Sequence, residues 1–284
     1  MRKNNRLRFF ILVLFIAGTT ATVDGQRGQE RKIKWEKERL APGLVLKSGR
    51  IVPGDTLPQN LNLLIVNTRK RDVSIIYNPQ KGRRLTGVQA QEAGAIAAVN
   101  GGFFNTAGGS VTYVRTAGII ADSDTAEAWP KNVNLNGAIM VNSRGEVTIT
   151  KKKTNEWFDA NPDFVDVLVT GPFLAEGGAK SELPATSLVT ARHPRTAVGK
   201  AGRRKVILLT ADGRSDEAAG LTLHQLAGMM LYLKCSEALN LDGGGSTTMW
   251  VKGKPFGGVV NMPSDNKVFD HEGARAVSSV LIVR

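Results

Sequence analysis

The chain has 284 residues and a formal net charge of +13 at pH 7, from 38 Lys and Arg against 25 Asp and Glu. Hydrophobic residues make up 42% of it, which suits one large domain with a sizeable core. The single Cys235 excludes an intrachain disulfide, and with only three His residues the chain lacks the spacing of an ordinary transition-metal site. The basic charge favours anionic partners, but no helix-turn-helix, zinc-finger or aromatic RNA-binding pattern points to nucleic acid.

The first 25 residues have the layout of a secretory signal. Four basic residues precede a short apolar stretch at 9–17, and small residues lie before a plausible cleavage point at Gln26. We therefore expect an exported protein, periplasmic or extracellular. No later segment reaches about 18 apolar residues, so no membrane span is expected after removal of the signal. The alternative is a retained N-terminal anchor.

Residues 26–50 are charged and polar and are predicted to form an N-terminal arm, followed by the main domain at 51–284. Two β-rich runs, 61–66 and 73–77, flank a polar turn and predict a hairpin. The other predicted elements are a helix at 88–94 and strands at 95–99, 111–115, 138–141, 147–151, 164–169 and 206–210, with a turn at 142–145 joining two of them.

The clearest helix is predicted at 223–239. Apolar residues from Leu223 to Leu233 recur on one face, and Thr222 with Gln225 forms a capping box at its start. Cys235 is expected as a small core residue of this helix. Together these patterns predict a single α+β, or mixed α/β, domain. It would have a mixed sheet with strands of both orientations, packed helices and a site at the strand ends.

Three apolar strands end on a polar side chain followed by glycine, at Asn100, Asp212 and Asp242. Each of these endings is also an ordinary turn sequence. Three copies of one design favour a shared pocket, because a sheet can bring several strand ends together. After Asp242 the glycines 243–245 allow close backbone approach to a ligand, and an apolar strand resumes at Met249, which argues against a flexible linker.

A cationic run at 192–195 precedes another short strand. The Arg195 guanidinium suits a phosphate or a carboxylate, and a structural salt bridge is the alternative. Two aspartates, an arginine and glycine N–H groups together indicate cleavage at an anionic centre, with a carboxylate acting at a sugar carbon and the cation binding a phosphoryl group. A phosphate-linked sugar already has a good leaving group, so a strong general acid is less necessary.

The motifs at 100–104, 195–199, 210–214 and 240–247, with the helix that starts near 220, occur in the order seen in phosphodiester glycosidases. The chain resembles that family over residues 40–284, including a closing motif at 275–281. The resemblance implies an exported hydrolase that cuts between an anomeric carbon and a phosphodiester oxygen. Its substrate would be a sugar phosphodiester or a phosphorylated glycan, with an N-acetylglucosamine-like sugar favoured.

The resemblance implies roles for the residues that match the motifs. Asp242 and Asp212 are expected to flank the anomeric carbon, with Arg195 binding the phosphate. The expected substrate-binding residues are Asn100, Gly101, Phe103, Phe104, Thr196, Arg214, Gly243, Gly244, Gly245, Ser246 and Thr247. No cofactor is expected. Two alternatives stay open: a non-catalytic glycan-binding protein, and a phosphodiesterase in which Asp212 and Asp242 hold Ca²⁺ or Mg²⁺.

Overall fold

Two antiparallel β-layers enclose the main core of the protein in the computed structural model. The structure describes residues 33–51, 57–123 and 133–284, which all fall within one compact unit. The predicted signal at 1–25 lies outside the described residues. Within the described residues, no helix has the length and apolar character needed to cross a lipid bilayer.

The described elements are mainly strands, with a few short helices. The strands are β1 (Lys34–Ala41), β2 (Leu44–Ile51), β3 (Gln59–Asn67), β4 (Val73–Tyr77), β5 (Ala97–Asn100), β6 (Tyr113–Thr116), β7 (Ile119–Ser123), β8 (Gly137–Asn142), β9 (Val147–Lys151), β10 (Phe164–Thr170), β11 (Phe173–Glu176), β12 (Ala179–Lys180), β13 (Arg195–Lys200), β14 (Lys205–Ala211), β15 (Glu237–Asn240), β16 (Met249–Val251) and β17 (Ser279–Val283). The helices are α1 (Thr86–Glu92), α2 (Asn155–Asp159), α3 (Ser187–Thr190) and α4 (Leu223–Tyr232), with single 3₁₀ turns at Pro79–Lys81, Gly244–Ser246 and Phe256–Gly258.

The strands form three sheets. The large sheet has the order β1-β2-β3-β14-β13-β15-β11-β12, the five-stranded sheet β7-β6-β10-β8-β9, and the four-stranded sheet β16-β5-β17-β4. The expectation of one domain with sheets and packed helices is confirmed. The expected mixture of strand directions is wrong, because every strand pair in the described residues is antiparallel.

Side-chain alternation along the strands assigns each face of the large sheet to a different core. Val198 and Leu208 point to the inner face, where they pack with residues of both smaller sheets such as Ile139 and Leu281. The neighbouring positions on β13 and β14 point to the outer face, where α3 and α4 cover them; Ala197 is one of these. This alternation decides which side chains reach the site.

Several predicted elements are confirmed. Helix α1 forms, and β8 and β9 form the expected hairpin. The capping box that starts α4 is present, with the Thr222 side chain and the Gln225 side chain each accepting from the other residue's backbone N–H. Cys235 is buried in the outer core.

Three predictions about chain connection are wrong. Helix α4 ends at Tyr232, because Lys234 takes a left-handed φ of 65° and turns the chain into β15. Strands β3 and β4 do not form a hairpin; β4 pairs with β17 in the four-stranded sheet, and the turn between them carries the chain from one layer to the other. The described part of the predicted arm, 33–50, lies in β1 and β2 of the large sheet.

Candidate functional site

Three chain segments that the sequence singled out meet at one end of the large sheet. The buried Asn100 side chain, at the end of β5, joins them. Its Nδ2 donates to the Asp242 carbonyl at 2.7 Å, and its Oδ1 accepts from Thr196 Oγ1 at 2.7 Å and from the Thr248 backbone N–H at 3.1 Å. The Asp242 N–H in turn donates to the Gly101 carbonyl at 3.0 Å. Asn100, Gly101 and Thr196 therefore hold the Asp242 loop in place.

Asp242 is the partly exposed carboxylate of this cluster. It follows β15, and its Oδ1 accepts from the Gly243 N–H at 2.8 Å. Burial raises the pKa of Asp242 to about 6, while the nearby Ser246 hydroxyl, the Gly243 N–H and the Arg275 guanidinium act in the opposite direction. A carboxyl group with a pKa of about 6 is suited to exchange between its charged and neutral forms near neutral pH.

The glycine loop after Asp242 lets two guanidinium groups approach its backbone. Gly244 has a φ of 61°, and a Cβ there would lie 2.8 Å from Arg214 Nη2. A Cβ on Gly245 would lie 2.5 Å from Arg275 Nη2 and would also collide with Asp265. The positive φ favours glycine at position 244, and the absence of side chains at both positions leaves room for two cations beside the loop.

Arg275 and Asp265 were missed by the sequence analysis. Arg275 Nε donates to both oxygens of Asp265 at 3.1 Å, and Nη2 donates to Oδ1 at 2.5 Å. This contact is the main cause that lowers the pKa of Asp265. Both residues lie in the irregular segment between β16 and β17, where no hydrophobic period marks a position. Arg275 occurs in the closing motif of the resemblance, which was the one available signal.

Asp212 is in a different environment from Asp242. It is fully buried, and its two oxygens accept from Asn60 Nδ2 at 2.6 Å, Asn261 Nδ2 at 2.9 Å and the Met262 N–H at 3.0 Å. Burial raises its pKa to about 6 against these hydrogen bonds. The structure therefore does not support the expected contact between Asp212 and an anomeric carbon. Asp212 instead holds the segment that contains Asn261, whose Nδ2 also donates to the Thr247 carbonyl at 3.0 Å.

Arg195 also departs from its expected role as a phosphate ligand. Alternation along β13 turns it to the outer face of the large sheet, where it is 1% exposed. Its Nε donates to the Leu221 carbonyl at 2.8 Å, and Nη2 donates to the carbonyls of Leu188 and Ala191 at 2.8 and 2.7 Å. Three of its N–H groups are thus used to join α3 and the start of α4 to the sheet.

The other predicted binding residues divide into buried and accessible groups. The Gly243 N–H donates to the Asp242 carboxylate, and the Gly244 N–H donates to the Pro194 carbonyl at 2.8 Å. Neither amide is therefore available to a ligand, although both were predicted to bind one. The hydroxyls of Ser246 and Thr247 are buried without a partner in hydrogen-bond geometry. Ser246 lies beside the Asp242 carboxylate, which explains its effect on that pKa.

The two phenylalanines after Gly102 are both partly buried. Phe104 packs against the core that contains Trp250, and the Arg83 guanidinium lies 5.7 Å from its ring centre. Phe103 is partly exposed in the same loop and makes no ring contact with another described aromatic residue. Phe104 therefore lies at the edge of a core, and both phenylalanines stay predicted sugar contacts.

A cavity of about 500 Å³ opens between the β1–β2 hairpin and the segment after β16. Its lining consists of Glu36, Lys37, Glu38, Leu46, Ser48, Lys254, Pro255, Phe256, Val259, Val260 and His271. Phe256 and His271 stack at 4.3 Å between ring centres. None of the predicted site residues lines this cavity. The candidate site is the Asp242 loop instead, where a partly exposed carboxyl group with a raised pKa lies beside guanidinium groups.

The described residues contain no group of three or more His, Cys, Asp or Glu side chains placed to hold a metal ion. The local chemistry of the site is that of one carboxyl group with a raised pKa, an ion-paired carboxylate and two guanidinium groups around a glycine loop. Such a set can bind a phosphate group and deliver a carboxylate to an adjacent carbon. Fold and site together define a sheet-rich domain with a carboxyl group and two guanidinium groups around a glycine loop.

Comparison with known proteins gives the family. A model of the phosphodiester glycosidase family matches residues 93–284. The chain belongs to this family, and membership supports a hydrolase that acts on phosphodiester-linked sugars.

Solved structures share the fold. The catalytic domain of zebrafish N-acetylglucosamine-1-phosphodiester alpha-N-acetylglucosaminidase, auto-inhibited by its pro-peptide, matches with a TM-score of 0.69 and 22% identity over 89% of this chain and 87% of that one. A hypothetical protein from Synechocystis matches with a TM-score of 0.63 and 15% identity over 89% of this chain and 64% of that one. At these identities the likeness concerns the fold alone.

The sequence match to a curated relative covers a shorter part of the chain. The SPbeta prophage-derived uncharacterized protein YomE of Bacillus subtilis (strain 168) is 38% identical over 63 residues. This match covers 22% of the present chain and 10% of the length of that protein.

Proposed function

We propose that the protein is an exported hydrolase that cleaves the sugar–phosphate bond of a sugar 1-phosphodiester. One observation carries the proposal: the Asp242 carboxyl, with its pKa raised to about 6, lies in a glycine loop against which the Arg275 and Arg214 side chains pack. Family membership supports the same reaction class. Export is supported by the charged and apolar pattern of residues 1–25.

In this proposal the ionised Asp242 acts at the anomeric carbon, as a nucleophile or as the base that activates water. The bond between the anomeric carbon and the phosphodiester oxygen breaks, and its electron pair leaves with the phosphate. Because a phosphate monoester is a good leaving group, this step needs little help from a general acid. Asn100 and Gly101 hold the backbone of Asp242 and so fix the direction of its carboxylate.

Arg275 and Arg214 bind the phosphate and stabilise the charge that it gains as the bond breaks. Asp265 positions Arg275 through a two-oxygen contact, which leaves the guanidinium beside Gly245. Arg214 is exposed and forms no ion pair with another described residue. In this proposal these two arginines replace Arg195, which the sequence favoured.

N-acetylglucosamine is the first sugar to test, since the zebrafish structural relative carries it in its name. The purified chain is incubated with N-acetylglucosamine α-1-(methyl phosphate), with and without a chelator, and the products are separated. Free sugar with methyl phosphate in both samples supports the proposal. Sugar 1-phosphate with methanol, lost on chelation, would indicate a metal-assisted phosphodiesterase. Saturable binding without turnover would indicate a glycan-binding protein.

A further inference from the structure

Three turns, two of them rich in basic residues and the third with Arg144, meet at the end of the large sheet opposite the Asp242 loop. They are the turns at 67–72, at 142–146 and at 200–205, which connect β3 to β4, β8 to β9 and β13 to β14. The Arg204 carbonyl accepts from the Thr68 N–H at 2.9 Å, so the first and third turns are in direct contact. The three turns lie far apart in the sequence, and the fold brings them together.

The turns enclose a cavity of about 260 Å³. Its lining consists of Thr68, Arg144, Gly145, Glu146, Val147, Thr148, Lys200, Arg203, Arg204, Lys205 and Val206. We call this cavity the basic pocket. Five of its lining residues are cations and one is a carboxylate, and none is aromatic. A cavity of this size fits a phosphate or sulfate group together with part of a sugar.

The one carboxylate of the basic pocket is already engaged. Glu146 Oε2 accepts from Asn142 Nδ2 at 2.9 Å and from Arg144 Nη2 at 3.3 Å. These contacts, with Arg203 and Arg204 nearby, lower the pKa of Glu146, so it carries its charge at neutral pH. The remaining lining cations, Lys200, Arg203, Arg204 and Lys205, form no ion pair with a described residue, which leaves a surplus of positive charge.

The basic pocket is separate from the proposed catalytic site. Strand β13 has Thr196 at the site and Lys200 at the basic pocket, and four residues of extended strand span about 13 Å. A single sugar phosphate bound at Asp242 therefore does not reach it. A ligand of the basic pocket is either an independent molecule or a more distant part of a long anionic chain.

We infer that the basic pocket binds the oxyanion groups, phosphodiester or sulfate, of an anionic polysaccharide. Guanidinium groups match oxyanions with paired N–H donors, and Arg203 and Arg204 place two of them at one turn. A chain is favoured over a free ion because the neighbouring turn continues the charge through Arg69 and Lys70. Polysaccharide is favoured over single-stranded nucleic acid because the lining offers no aromatic ring for base stacking.

The test measures binding without turnover, so it does not depend on the proposed function. Fluorescein-labelled phosphorylated dextran, dextran sulfate, neutral dextran and a polyuridylate RNA are titrated with the full chain, and anisotropy gives Kd. The variant Arg144→Ser/Arg203→Ser/Arg204→Ser removes three exposed cations of the basic pocket. The matched control Lys34→Ser/Lys180→Ser/Lys252→Ser removes three exposed cations elsewhere on the surface.

We expect one or both anionic dextrans to bind the native chain and the control with similar Kd. The Kd of the pocket variant for the same dextrans should be at least about tenfold higher. The stronger anionic dextran identifies phosphate or sulfate as the preferred group. Equal affinity of the pocket variant and the control would overturn the inference, as would equal binding of neutral dextran. Tighter binding of the RNA, lost in the pocket variant, would assign the pocket to nucleic acid. Unchanged melting temperatures show that both variants are folded.

Discussion

Two strand ends in this protein share a short sequence pattern and differ in environment. Asp212 follows β14 and Asp242 follows β15, and each is followed by glycine. Asp212 is enclosed by Asn60, Asn261 and the Met262 backbone, whereas Asp242 is partly exposed beside a loop that two arginines contact. Burial raises the pKa of both to about 6. A shifted pKa alone therefore does not identify the reactive carboxylate; accessibility and neighbouring cations do.

The largest effect is expected from removal of the accessible carboxylate. Asp242→Ala should lower kcat on a sugar 1-phosphodiester by roughly 10²–10⁴-fold, because the group that acts at the anomeric carbon is lost. The melting temperature should change little, since among the described residues the side chain accepts a single backbone hydrogen bond, from the Gly243 N–H. Activity within threefold of the native enzyme would remove Asp242 from the mechanism.

A smaller loss is expected from the cation beside Gly245. Arg275→Ala should lower kcat/KM by about 10²-fold, because one charged donor to the developing phosphate is removed. The exposed Arg39→Ala serves as the control for loss of one positive charge. If both variants lose activity equally, general attraction of the anionic substrate, rather than a phosphate contact at Arg275, is responsible.

The enclosed carboxylate should affect stability instead. Asp212→Ala leaves three N–H donors, one buried and two partly buried, without their acceptor, so the free energy of unfolding should fall by about 3 kcal/mol. Denaturant titration measures this change, and kcat per folded molecule should stay within a few-fold of native. A loss of kcat as large as that of Asp242→Ala, with unchanged stability, would restore the catalytic role predicted from the sequence.

The mildest test is the pH dependence of the native enzyme. If Asp242 acts in its ionised form, protonation below its pKa of about 6 removes activity. We expect log kcat/KM to rise with a slope of about one below pH 6 and to level above it. A rate that falls as the pH rises through 6 would instead assign Asp242 as a proton donor.

The sequence predicted the Asp242 loop and the elements next to it better than it predicted which charged side chains surround that loop. The start of α4 could be predicted because a capping box is local chemistry, and the β8–β9 hairpin because its turn is short. The partner strand of β4 could not be predicted, because the sequence of an apolar strand does not indicate which sheet it joins. Backbone hydrogen bonds between Asp72 and Arg284 hold β4 beside the last strand instead.

The positions of Arg195 and Arg275 also could not be predicted from the local sequence. Residues on β13 are buried on both faces, so no polar alternation indicates that Arg195 points towards α3 and α4. Arg275 and Asp265 lie in an irregular segment, where local sequence fixes no direction. Their meeting at Gly245 depends on the path of the whole chain, which only the structure gives.

The most direct test of the central claim is hydrolysis in ¹⁸O-labelled water. Cleavage at either side of the sugar oxygen gives the same free sugar and phosphate monoester, so the position of the label distinguishes them. Attack at the anomeric carbon, guided by Asp242, places ¹⁸O in the released sugar, and mass spectrometry of the sugar trapped by reduction should find it there. Label in the phosphate monoester would mean attack at phosphorus and would contradict the account.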